Sequence, residues 1–337
     1  MKTVPLGRTG ERVGELALGC MQMGTRTDEP TSFAILDRFL ADGGTFLDTA
    51  DCYAWWDSPG SFGGESESLL GRWFARTGRR DDVFLATKGS ARLNSLDGVW
   101  GDWEGAAPDS AARNGYVGAG AGTLRRALDD SLRRLGTDRV DLYYVHVDDR
   151  STPLEETLDA LAGLVAAGKT RYIGWSNVRT WRLERIRQLC ERHGWPAPVA
   201  LQQQHSYLRR RAGLDHASIV DDEQLDYLRA HDDLTLVAYS PVLKGAFDHP
   251  ERRTGHPVME SYEGADATAR FAVVDEIAWE TGTTPGQVVL AWLLRQEDPA
   301  LIPLVGPRTY EQYVSSAAAT GIELTGEQLK RLDEAGA

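Results

Sequence analysis

The sequence predicts an α/β fold: a single (β/α)8 TIM barrel with an N-terminal hairpin and long βα loops. Three observations predict it. Eight short apolar runs occur, helix-period stretches alternate strictly with them, and the extra length sits after strands and before helices.

The opening Thr3–Val13, with Arg8-Thr9-Gly10 between short apolar flanks, reads as a hairpin able to plug the barrel bottom. The first strand is expected at Glu15–Cys20 and its helix at Thr31–Ala41. Thr45–Asp48 is followed by Ser66–Arg76, Val83–Thr87 by Thr123–Leu135, and Asp141–Val145 by Leu154–Ala167. The same alternation continues with Tyr172–Trp175 and Thr180–His193, Val199–Gln202 and Asp222–Ala230, and Leu234–Tyr239 and Ala267–Trp279. A segment at Pro285–Arg295 precedes the last strand, Leu301–Leu304, and Tyr310–Ala319 follows it. Alternation of this kind implies a parallel sheet, closed or doubly wound. The count of eight favours the closed barrel, for which roughly 250 residues is typical before insertions. No linker or composition shift divides the chain, so 1–337 is expected to be one domain.

Three segments account for the surplus: Gly89–Gly122, Gln203–Asp221 and Ala246–Asp266. Loops of that length read as lids or binding loops, on the face where barrel active sites form.

The formal charge of −13 argues against nucleic acid or an anionic membrane as partner, though a local donor cluster can still hold an anionic ligand. Cys20, Cys52 and Cys190 are odd in number and widely spaced, which suggests neither a disulfide framework nor a zinc site; no metal is expected. Met1–Gly10 lacks a signal-like apolar run and no eighteen-residue apolar stretch occurs, so a reducing cytoplasm is the expected setting. Nothing in the sequence fixes an oligomeric state.

Of the 37 basic residues only five are Lys, so a Lys closing an apolar strand, as Lys88 does, asks what Arg could not do there. A compact ammonium can sit against a neighbouring group as a point charge. Asp48 closes the second strand in Phe-Leu-Asp-Thr-Ala, Tyr53 lies five residues on, and His146 closes the fourth in Tyr-Tyr-Val-His. On a barrel these ends are neighbours on one rim, the rim that carries catalytic residues. Carbonyl reduction needs hydride at carbon and a proton at oxygen. A phenol, with a free pKa of about 10, becomes a usable acid when an ammonium stabilises its phenolate. Asp48 would hold Lys88, and His146 could donate to the carbonyl oxygen or relay the proton. Gly118-Ala-Gly-Ala-Gly122 lacks dinucleotide-fingerprint spacing and follows no apolar strand, so it reads as a loop. No Tyr is followed by Lys four residues later.

These residues resemble the aldo-keto reductase superfamily over nearly the whole chain. The matching segments are Phe46-Leu-Asp-Thr-Ala50 with Tyr53, Gly64-Glu-Ser-Glu67 with Leu70-Gly71, and Ala86-Thr-Lys88. Leu132–Asp138, Asp141–His146, Gly168-Lys169 and Ile173–Asn177 follow, then Ala238–Pro241 and Ile302–Gly306 with Arg308. The resemblance implies a tetrad of Asp48, Tyr53, Lys88 and His146, with Tyr53 as general acid and NADP(H) as cofactor. It implies that Ser176, Asn177 and Gln202 bond the nicotinamide carboxamide and that Tyr239 stacks on the ring. Ser240, Pro241, Val242, Leu243, Lys244 and Gly245 match the loop along the pyrophosphate, Gly306 and Arg308 the 2′-phosphate site, and Gln312 an adenine contact. Ser316 stands where an Asn near adenine is common, and Cys20 and Met21 match positions lining the cofactor tunnel.

The implied reaction is reduction of a small-molecule aldehyde or ketone to an alcohol. An NAD(P)-dependent sugar dehydrogenase, a sugar-nucleotide enone reductase, or a cofactor-binding regulatory subunit like those that dock on potassium channels remain alternatives. Trp55, Trp56, Trp100 and Trp103 are candidates to stack a flat substrate or to pack the loops. Arg209, Arg210 and Arg211 read as a solvated charge run.

Overall fold

A computed structural model describes residues 1–57, 59–100, 111 and 114–336. Two short antiparallel strands, β1 (Thr3–Pro5) and β2 (Arg12–Gly14), form the expected hairpin. Eight parallel strands then close a barrel. These are β3 (Ala17–Gly19), β4 (Phe46–Asp48), β5 (Phe84–Gly89), β6 (Val140–Val145), β7 (Thr170–Ser176), β8 (Ala200–Gln204), β9 (Thr235–Tyr239) and β10 (Leu301–Val305). They pair in chain order, and β10 returns to β3 through Leu304↔Ala17 and Val305↔Leu18.

Helices α1 (Glu29–Ala41), α2 (Glu65–Thr77), α3 (Ala121–Leu135), α4 (Leu154–Ala166), α5 (Thr180–His193), α6 (Asp222–Arg229) and α7 (Ala265–Thr281) follow the successive strands. α8 (Pro285–Leu293) precedes β10, and α9 (Tyr310–Ala318) and α10 (Gly326–Glu334) end the chain. Apolar residues of α1 to α5, such as Phe39, Trp73, Leu128, Leu161 and Ile186, pack on the outer face of the barrel in one cluster. A second cluster fills the lumen with Phe46, Phe84, Leu142, Tyr144, Val237 and Ile302, and the Phe46 and Phe84 rings meet edge to face at 5.1 Å.

Leu6 and Val13 of the hairpin belong to that lumen cluster, so the hairpin plugs the barrel bottom as its sequence suggested. Its tip is tied down at Gly7, whose N–H donates to Thr235 Oγ1 at 2.7 Å. Gly7 has φ +51°, and a Cβ there would lie 2.2 Å from the carbonyl oxygen of Asp233, so only glycine fits.

Element bounds shift from expectation by a residue or two, as frayed ends do. The larger difference is α10, absent from the expected helices. Its start carries the Thr325-x-x-Gln328 capping box, in which the Thr325 side chain accepts from Gln328 N and the Gln328 side chain accepts from Thr325 N. The segment 246–266 is also less open than a structureless lid. It holds two short 3-10 turns, Pro250–Arg252 and Pro257–Met259, and buries Phe247, Met259 and Tyr262. The Tyr262 hydroxyl accepts from Gln204 Nε2 at 2.7 Å, and Arg253 pairs with Asp275. Among the described residues no helix is long and apolar enough to cross a membrane.

Candidate active site

Strand ends set the site. Asp48 is the last residue of β4, Lys88 lies one residue from the end of β5, and His146 follows β6. Parallel ladders put these ends on the same rim, with Asp48 opposite Ala86 and Lys88 opposite Tyr144. After β4 the chain coils through turns, Tyr53 N–H to Ala50 O and Trp55 N–H to Cys52 O, which swing Tyr53 back over Lys88.

Lys88 is fully buried, and its Nζ donates to Asp48 Oδ1, to Thr49 O at 2.9 Å and to Tyr53 Oη at 3.1 Å. Gln202 Nε2 donates to the other Asp48 oxygen at 2.8 Å, so both carboxylate oxygens are engaged. The imidazole of His146 stands edge to face against the Tyr53 ring at 5.5 Å. Tyr53 and His146 are half-buried while Lys88 and Asp48 are not exposed, so the phenol and imidazole are the members that face an opening.

Burial opposes the charge on Lys88, but Asp48 and Tyr53 outweigh it and hold the ammonium above its ordinary value. Burial pushes the Tyr53 phenol up to about 12 against the pull of Lys88. Burial and then the Lys88 charge drive His146 well below the ordinary histidine value, which keeps it neutral. The site thus holds one fixed cation under a protonated phenol, beside a neutral imidazole.

A second polar row lies across β7 and β8, where Ser176 stands opposite Gln202. Asn177 has φ 55°, a left-handed conformation that Asn tolerates better than most residues. Its Nδ2 donates to His146 O at 2.8 Å and to Ser176 Oγ at 3.0 Å, and its Oδ1 accepts from Tyr239 Oη at 2.9 Å. Ser176 Oγ donates to Gln202 O at 2.7 Å. These bonds leave lone pairs on Asn177 Oδ1 and Ser176 Oγ and one N–H on Gln202 Nε2. A primary carboxamide, with two N–H donors and one carbonyl, is the complement of that remainder.

The segment after β9 is wound tightly, with Ser240, Leu243 and Lys244 at φ 53°, 46° and 53°. Ser206 Oγ holds it by donating to Pro241 O at 2.6 Å. Lys244 is exposed, Ser240, Val242 and Gly245 are half-buried, and the side chains of Pro241 and Leu243 are buried. Gly306 and Arg308 are exposed beyond β10. A pocket of about 320 Å³ is lined by Arg308, Thr309, Tyr310 and Glu311 and, around the start of α1, by Arg26, Asp28 and Thr31. Two helix N-termini, capped by Asp28 and Thr309, open onto it.

Among the described residues the Arg308 guanidinium has no ion pair. Its backbone N–H donates to the Gln312 side-chain oxygen at 2.8 Å, so Gln312 is partly engaged inside the chain. Ser316 is half-buried on α9 and Met21 is exposed. Cys20 turns its side chain away from solvent. It is fully buried in the outer cluster, its thiol toward Leu18 O at 3.6 Å, because the residue after β3 points between barrel and helices.

Trp56 meets the Tyr53 ring edge to face at 5.9 Å and Trp55 at 5.4 Å, while Trp100 is half-buried on the loop after β5. Trp103 lies outside the described residues. Arg210 pairs with Asp221 at 2.7 Å. At the glycine-rich 118–122 segment, Ala119 N–H and Ala121 N–H donate to Asp149 and Glu156, so carboxylates already occupy the start of α3.

Sequence reasoning missed two residues here. Asp51 is fully buried, among the described residues neither of its oxygens is hydrogen-bonded, and burial, then the nearby Glu67 carboxylate, pushes it up to about 7. Cys52 places its Sγ 3.4 Å from His146 Nδ1. Neither spacing nor composition signals these contacts, which arise from the turn between Ala50 and Tyr53.

A family model described as the Aldo/keto reductase family matches residues 15–337. An uncharacterized oxidoreductase of Bacillus subtilis (strain 168), YrpG, is 34% identical, covering 99% of this chain and 95% of its own. The aldo-keto reductase yakc [NADP(+)] of Schizosaccharomyces pombe is 29% identical over 99% of this chain and 92% of its own. The crystal structure of a thermostable aldo-keto reductase, Tm1743, with the inhibitor epalrestat superposes with a TM-score of 0.70 at 28% identity, covering 99% of both chains.

Proposed function

The chain belongs to the aldo/keto reductase family, oxidoreductases of carbonyl groups, and on that premise we propose that it uses NADP(H) to reduce an aldehyde or ketone to an alcohol. The observation that carries this reading is the Lys88 ammonium, which bonds Asp48 on one side and the Tyr53 hydroxyl, at 3.1 Å, on the other.

Reduced nicotinamide, when bound, supplies hydride to the carbonyl carbon. The chain does the rest. Tyr53 donates its hydroxyl proton to the carbonyl oxygen, and Lys88 stabilises the phenolate that remains. Asp48 and Thr49 O hold Lys88 in register, since an ammonium can swing while two bonds to fixed acceptors keep it under the phenol. His146, neutral, donates a second hydrogen bond to the same oxygen and steers it toward Tyr53.

Ser176, Asn177 and Gln202 would hold the carboxamide, through the bonding capacity left after their internal contacts. Tyr239 would lie against the ring, its hydroxyl fixed on Asn177. The coiled 240–245 segment would run along the pyrophosphate. Arg308 and the two helix N-termini would take the 2′-phosphate, as a guanidinium and free N–H groups suit an anion. Gln312 and Ser316 would lie toward adenine. Trp55, Trp56 and Trp100 favour a substrate with a flat apolar body, because edge-to-face indoles beside the acid offer a wall for stacking. In this reading 1–337 acts as one domain on a small-molecule substrate.

Tyr53→Phe tests it. The variant should bind NADPH as wild type does while kcat for a good carbonyl substrate falls by about two to four orders of magnitude. Turnover near the wild-type value would refute Tyr53 as the acid.

A further inference from the structure

Cys52 is 2% exposed and packs with Ala50 and Ala91, with Tyr53, Trp55 and Val147 around them. Its Sγ lies 3.4 Å from His146 Nδ1, and among the described residues no other side chain hydrogen-bonds that ring. We propose that Cys52 is a positioning residue: its S–H donates to Nδ1 of His146 and so fixes the imidazole proton on Nε2, the nitrogen left free to donate to a substrate oxygen. The inference rests on the reading of His146 as a donor given above.

Both partners are neutral, which makes the direction of the bond a real question. Burial, then the Asp51 charge, drives the thiol well above its ordinary value, while burial and Lys88 drive the imidazole well below its own. A neutral imidazole carries one N–H and one lone pair, and its partner decides which nitrogen has which. Imidazole nitrogen is a good acceptor, whereas thiol sulfur is a weak one. S–H to Nδ1 is therefore the favoured arrangement, and Nε2 keeps the proton.

The backbone of His146 is already held on both sides, its N–H on Gly89 O at 2.9 Å and its carbonyl under Asn177 Nδ2 at 2.8 Å. Ring rotation and tautomer are the freedoms left, and Cys52 constrains both. With the proton on Nδ1 instead, Nε2 would turn a lone pair toward a carbonyl oxygen, and the second donor would be lost.

Long-range 1H–15N correlation spectra of the full-length protein, labelled at histidine, read the tautomer directly. His146 is identified by the resonances that vanish in His146→Gln. Wild type and Cys52→Ser should show a protonated Nε2 and an unprotonated Nδ1, and Cys52→Ala a mixture of tautomers. Cys52→Ala should also lower kcat by about two- to tenfold, the span of one ordinary hydrogen bond, with KM and NADPH affinity unchanged, and Cys52→Ser should restore it. A protonated Nδ1 in wild type overturns the proposal. So does an Ala variant with unchanged tautomer, whatever its kcat, since only packing is then at stake. A His146→Gln variant as active as wild type would refute the donor reading of His146 and leave the tautomer result standing.

Discussion

Tyr53 and Asp51, two residues apart, are pushed upward by the same cause, burial, with opposite consequences. For Tyr53, pushed up to about 12, the acid form persists through neutral pH, so the proposed reduction would not be limited by its ionisation there. The reverse of the proposed reaction would need the phenolate, so its initial rate, followed as NADPH formation, is expected to rise with pH.

Asp51 is a liability to the fold. Among the described residues its carboxyl has no hydrogen bond, and burial pushes it up to about 7 from the ordinary value of 3.8. The native state then binds a proton the unfolded chain has released between these values, so stability from this group falls as pH rises through that window. Asp51→Asn removes the titration. The stability difference, Asn minus Asp, should grow by roughly 2–4 kcal/mol from pH about 4 to pH about 8. Denaturant melts of both proteins at the two pH values check it; a constant difference would mean that Asp51 ionises normally. Asp48, Tyr53, Lys88 and His146 were legible because each stands at or just past a strand end and the barrel sorts such ends onto one rim. Asp51 and Cys52 were not, because their environment depends on how one turn folds under the rim.

Among elements, the β10–α9 junction carries the proposed phosphate contact. Gly306, Pro307 and Arg308 lead from the strand to Thr309, whose side chain caps α9 by accepting from Gln312 N. Arg308 and the starts of α1 and α9 converge on one pocket, but Asp28 and Glu311 line it too and oppose an anion. For the proposed phosphate to bind there, the guanidinium has to outweigh them. Arg308→Ala should weaken NADPH by about ten- to a hundredfold, as expected for one charged hydrogen-bonding group, and NADH far less. Dissociation constants for both cofactors decide it, and an equal loss for both would remove Arg308 from the phosphate.

Strands and helices were readable from periodicity because the pattern repeats eight times and each copy supports the next. α10 escaped because it follows the last repeat, yet its Thr325 and Gln328 cap was in plain view. The 246–266 loop was legible in position but not in form. Its buried Phe247, Met259 and Tyr262 are spread along it without a period, so their docking against Gln204 and α7 appears only in three dimensions.

For the molecule as a whole, closure of the sheet and the hairpin plug leave the C-terminal rim as the side on which the candidate residues gather. The barrel was legible from the count of strands, and the family from motifs spread from Phe46 to Arg308. A formal charge of −13 does not by itself oppose an anionic cofactor, because Arg308 and Arg26 line one pocket beside two helix N-termini. The proposed reaction is hydride transfer from a nicotinamide to a carbonyl carbon, with the proton from Tyr53. The most direct measurement uses NADPH deuterated at the transferable position of C4, one stereoisomer at a time, with an aryl aldehyde, and reads the alcohol by mass spectrometry. One deuterium on the carbinol carbon from one isomer, and none from the other, is the expected result. No alcohol from a panel of aldehydes and ketones, or alcohol free of deuterium with both isomers, would rule out that transfer.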